Sequence, residues 1–128
     1  MKSSFDILNA LYKVLNIPAV TTGVSGKIYK GVVPKTSQLE DIEINVLTNP
    51  NGYLQNGYAN VNIYCKEDAS GRVNTKRLSE ITNIITPLVE DTEKNGFYFQ
   101  IENQGGIFKD QDRDKMYFFN LKLNYQTL

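Results

Sequence analysis

The chain has 128 residues, with 14 basic side chains against 14 acidic ones, one cysteine and no histidine. That length predicts one domain with a core of its own. Charge balance argues against gripping nucleic acid by counterion release or docking on an anionic membrane, and without histidine the commonest general base, triad member and metal ligand is missing. No apolar run approaches the ~20 residues of a membrane span, and Met1 to Asp6 lacks the apolar core of a signal peptide, so the expected compartment is the cytosol. Cys65 alone cannot close an internal bridge, which suits a reducing environment.

Taken in chain order, Ser3 and Asp6 are spaced as a capping box, and Phe5, Leu8, Leu11, Tyr12 and Leu15 then keep helical spacing up to Asn16. Pro18 predicts the end of that helix. Residues 18–41 carry little pattern beyond a brief strand within 27–33, and so long an irregular connection reads as a binding arm or as a missed element. Residues 41–48 alternate, with Ile42, Ile44 and Val46 on one face and Glu43, Asn45 and Leu47 on the other. Two Asn-Gly-Tyr repeats follow in residues 49–58, predicting a long hairpin. They are read either as turn chemistry alone or as a projecting loop whose Tyr53 and Leu54 touch a partner.

Residues 58–66 alternate again: Ala59, Val61, Ile63 and Cys65 share the apolar face, while Tyr58, Asn60, Asn62 and Tyr64 share the polar one. A helix is predicted over 74–91, since Leu78, Ile81, Ile84, Ile85, Leu88 and Val89 form one stripe. Pro87 predicts a kink near Asn83 or a break. Gly96 takes a C-terminal or turn position. Phe97, Phe99 and Ile101 mark another strand, and Phe119, Leu121, Leu123 and Tyr125 the last, joined by an exposed connection over 103–115. The expected fold is α+β, a mainly antiparallel sheet of about four to five strands with two helices packed on one face, over a single domain spanning 1–128.

Candidate chemistry is thin. Cys65 lies in phase with Val61 and Ile63 and reads as a small buried hydrophobe, with no imidazole to make it a nucleophile. Asp110, Asp112 and Asp114 have the spacing of the first ligands of a calcium loop, but Lys115 stands where that loop needs glycine and Leu121 where it needs glutamate. The alternative is a solvated hairpin tip. Gly105 and Gly106 lack the lysine and hydroxyl of a phosphate loop. The polar face bearing Tyr58 and Tyr64 is either solvated or an interface. Residue chemistry thus leads to an α+β domain with no catalytic, cofactor-binding or metal residue to name.

The order of elements, together with Gly26-Lys-Ile-Tyr29, Val33-Pro34 and Tyr58-Ala-Asn-Val-Asn-Ile-Tyr64, resembles the tail completion or tail terminator proteins of tailed bacteriophages and prophages. The likeness runs over nearly the whole chain, and the loop at 49–57 and Pro87 depart from the family pattern. It implies a structural, non-enzymatic virion protein without a cofactor. Such a protein assembles as a homo-oligomer, typically a hexameric ring, at the head-proximal end of the tail tube. Its implied partners are the tail tube protein and the head-tail connector, with neither tight nucleic-acid binding nor a membrane, and its implied location is the head-tail joint, after assembly in the host cytoplasm. Tyr53, Leu54, Tyr58, Tyr64, Asp110 and Asp112 are the expected protein contacts. A small cytosolic adaptor or ligand-binding α+β domain is the alternative.

Overall fold

A computed structural model describes residues 3–49 and 55–128 of the chain. Helix α1 (Ser4–Leu15) opens on the expected capping box: Ser3 Oγ accepts from the Asp6 amide at 3.2 Å, and Asp6 Oδ2 accepts from the Ser3 amide at 2.8 Å. Its buried face is Ile7, Ala10, Leu11, Val14 and Leu15, turned from the expected stripe so that Leu8 and Tyr12 flank the core and Phe5 is exposed. Because Ile7, Ala10 and Val14 are also apolar, the sheet has a choice of face. Pro18 ends α1 but also starts a one-turn helix, α2 (Pro18–Thr21), where its fixed φ and missing N–H cost nothing.

Among the described residues six strands follow: β1 (Ile28–Lys30), β2 (Ile42–Thr48), β3 (Asn56–Lys66), β4 (Thr92–Lys94), β5 (Phe97–Lys109) and β6 (Met116–Thr127), with helix α3 (Thr75–Val89) between β3 and β4. They form one sheet in the order β1-β2-β3-β6-β5-β4. Every neighbouring pair is antiparallel except β1 with β2. The α+β class therefore holds, while among the described residues the sheet is larger and mixed and there are three helices. The two missed elements, α2 and β4, have only four and three residues, too few to show a period.

The apolar rows expected on β2, β3, β5 and β6 lie on one face, under α1 and α3, where Ile42, Ile44, Val61, Ile63, Phe97, Phe99, Leu121, Leu123 and Tyr125 are buried with Leu78, Ile81, Ile85 and Val89. Each such side chain contributes roughly 1.5–3 kcal/mol, so this layer dominates stability. Helix α3 runs unbroken through Pro87, so the expected break is not there. Pro87 sits in the last turn, where its missing donor removes one bond and little helix remains to redirect.

Two other expectations are corrected. Residues 103–115 are not all connection: β5 continues to Lys109, and register shifts between Ile101 and Asn103 and between Gln104 and Gly106 hide its alternation. The segment 18–41 is not a free arm. Glu40 accepts from Arg77 of α3 through Nε at 2.5 Å and Nη2 at 2.9 Å, and from the Ser25 amide at 3.1 Å, while Arg77 Nη2 also donates to the Gly23 carbonyl. Next to it, Asp41 is fully buried and accepts from the Lys27 amide at 3.1 Å and from Ser37 Oγ at 2.5 Å. At Gly26 a Cβ would collide with the Asp41 carboxylate and the Glu40 carbonyl, so the close approach needs glycine.

Candidate functional site

The sheet face away from the helices holds Tyr58 and Tyr64, two of the residues expected to make contacts. Its centre is a row of amides. Asn60 donates to Asn45 at 3.1 Å, Asn62 to Glu43 at 3.1 Å, and Asn120 to Asn60 at 3.0 Å and to Asn62 at 2.7 Å, so the network crosses β2, β3 and β6. Further along, Asn124 donates to Asn56 at 2.7 Å. Strand alternation places these side chains together, and each amide offers both donor and acceptor, so the row satisfies itself without a charge partner at every step. A Cβ at Gly105 would strike the Asn120 amide, which extends the close packing to β5.

Tyr58 and Tyr64 do share this face, but in different surroundings. Tyr58 is half-buried, with the Lys122 ammonium 4.3 Å from its ring centroid. Tyr64 is buried in a second, smaller core with Val33 and Met116, flanked by Tyr29 and by Phe118, whose ring lies 5.1 Å away. Burial, followed by the Glu43 and Asp110 carboxylates, pushes the Tyr64 hydroxyl well above the usual phenol range. Tyr64 is thus packing material, and its expected role as a direct contact is corrected.

Asp110 is corrected in the same sense. Its carboxylate takes the Arg113 Nε at 2.6 Å, and Arg113, itself buried, also donates to the Ser37 carbonyl at 3.0 Å, reaches Asp41 at 3.7 Å and stacks 4.5 Å above the Tyr64 ring. This cluster fastens the 110–115 turn and the 31–40 segment over one end of the open face. Asp112 is exposed, with its amide donating to Asp110 Oδ1 at 2.9 Å. Tyr53 and Leu54 lie outside the described residues.

Cys65 is buried and points into the main core, which raises its thiol to about 11. Among the described residues no buried side-chain nitrogen or oxygen lacks a partner, so no polar group there waits for a ligand to complete it. A groove of about 410 Å³ runs between α3 and the far half of β5, lined by Leu78, Thr82, Thr86, Pro87, Ile107 and Phe119 among others, and it is neutral.

Several exposed apolar side chains are not among the expected contacts. Phe5, Leu47 and Leu128 lie toward the end of the sheet where β2 leaves and β3 enters: Asn49 ties α1 there through Ser4 Oγ at 3.3 Å, and the Leu128 amide donates to the Gly96 carbonyl at 2.9 Å. Leu39, Ile107 and Phe108 lie toward the opposite end, near the 110–115 turn, while exposed Val32 follows β1 beside β2. Compared with known proteins, the chain matches no family model and no curated protein.

Proposed function

We propose that the chain is a tail completion or terminator protein, a structural piece that caps a bacteriophage tail tube and joins it to the head connector as a ring of identical copies, without performing a reaction. The observation that carries this reading is the sorting of exposed large apolar side chains to opposite ends of one sheet, Phe5, Leu47 and Leu128 toward one and Leu39 toward the other. A joining piece needs two docking ends held at a fixed separation. Here strands of up to 13 residues set that separation, spanning ~3.3 Å per residue. The resemblance in element order and in the Tyr58 to Tyr64 strand supports the same assignment.

The test is electron microscopy of the protein mixed with phage tail tubes. Rings are expected at one end of each tube. Phe5→Lys with Leu47→Lys should abolish one of the two dockings and Leu39→Lys the other, with the fold intact by circular dichroism. Loss of neither docking, or a protein that never binds tubes, overturns the reading. The ligand-binding alternative rests on the groove beside α3 and predicts a small neutral molecule bound there with no affinity for tubes.

A further inference from the structure

The two edges of the sheet are stepped, and the steps match. On one edge β1 covers only Ile42 to Ile44 of β2, and among the described residues no strand pairs with the outer side of Asn45 to Thr48. On the other edge β4 covers only Phe97 to Phe99 of β5. Among the described residues no strand pairs with the outer side of β5 beyond Phe99. Following the ladders straight across the sheet through Ile42, Ile63 and Phe119, Ile28 of β1 lies level with Ile107 of β5. By the same route through Ile44, Val61 and Leu121, Lys30 lies level with Gln104. The short outer strand on one edge therefore stands at the height of the gap on the other.

We propose that copies of this chain join side by side through these edges, with β1 of one copy adding to the open half of β5 in the next. The proposal rests on the ring reading above and names the contact that would close the ring. Strand direction agrees: β1 runs with β2, and β2 and β5 run opposite ways in the sheet, so the new pair is antiparallel. Exposure also points to an added strand. Ile107 and Phe108 are consecutive, so they face opposite sides of the sheet, yet they are 44% and 49% exposed. A partner resting on either face would cover one of them. A strand laid along the edge covers both.

The bulges in β5 sharpen the position. Exposed Glu102 and the shifts before Asn103 and Gly106 bend and twist β5 there. From Gly106 to Lys109 the register is regular again, and that is where Ile107 and Phe108 sit. The groove beside α3 opens on the same side as Gln104 and Ile107, and β1 carries α1 against its own helix side. In the joined pair the neighbour's α1 layer stands over the groove, completing the helix layer that α3 leaves short. Because the two edges differ, the contact is head-to-tail and generates a closed ring or an open filament rather than a two-fold dimer.

The test pairs two single variants, Lys30→Cys and Gln104→Cys, each exposed and each on the helix side of the sheet. Under mild oxidation a mixture of the two should give a disulfide-linked dimer far in excess of either variant alone, and Ile107→Lys added to the Gln104→Cys chain should suppress it. Phe5→Lys, placed at the end of the sheet, should leave the yield unchanged. A mixture that gives no more dimer than the separate variants at the highest attainable concentration overturns the edge contact. A specific cross-link from a protein that ignores tail tubes would uphold the contact and sink the tail reading. Rings that cap tubes unaffected by Ile107→Lys would do the reverse.

Discussion

Arg113 shows how one side chain holds two distant segments. Its guanidinium meets Asp110, Asp41, the Ser37 carbonyl and the Tyr64 ring at once, with almost no solvent access. Removing it leaves the buried Asp41 charge poorly compensated, so Arg113→Met is expected to cost on the order of 3–5 kcal/mol, measured by urea unfolding. Arg113→Lys should recover only part, since an ammonium cannot present the same fork. Glu40 gives a pH signature. Its hydrogen bonds from Arg77, opposed by burial, hold its carboxyl below the usual value of 4.5. The stability it adds is complete above that value and fades as pH falls through the lowered folded one. Unfolding midpoints of Glu40→Gln should therefore be lower than those of the native chain at neutral pH, with the gap closing in acid. Cys65 has its thiol near 11 and should resist thiol reagents until the chain unfolds, as a labelling time course in increasing urea would report.

None of the Arg113 contacts was legible beforehand, because residues 110–115 look like any charged hairpin tip and the partners Ser37 and Asp41 lie far back in the chain. Tyr64 was misread for a related reason. Alternation fixed its side of β3, but only Val33 and Met116, brought in by other elements, decide whether that side meets water.

At the scale of elements, the legible ones carried a local signal strong enough to survive folding: the Ser3 and Asp6 box of α1, the alternation of β3, and the stripe of α3. The far half of β5 was hidden because its bulges break a period of two twice within a few residues. The β4–β5 hairpin turns on Asn95 and Gly96, both at positive φ, 52° and 83°. This is the conformation for which Asn-Gly is favoured. Gly96→Ala is expected to cost about 1 kcal/mol in thermal or urea unfolding, because an L side chain is strained there. Gly26→Ala should cost more, about 1–3 kcal/mol, as the added methyl must displace Asp41 and Glu40.

For the whole molecule, one sheet face is committed to the core, the other is braced by its own amides, and two ends and two stepped edges remain. The class of the fold could be read from the order of strands and helices. How the parallel β1 and the short β4 finish the edges could not, since three residues carry no periodic signal. Replacing Asn120 by leucine should test the bracing. It removes donors to Asn60 and Asn62 and is expected to lower stability by about 1–3 kcal/mol in urea, with the far-UV spectrum unchanged.

The placement of β6 has a bearing on how the chain is made. It pairs along its whole length with β3 on one side and β5 on the other, yet follows every other strand in order of synthesis. Until residues 116–127 emerge from the ribosome, the β2–β3 half and the β4–β5 half share no strand partner, and only the helices bridge them. Protection against protease on arrested nascent chains should consequently rise in a single late step as those residues are released, and synthetic 116–127 peptide added to the shorter fragment should restore it.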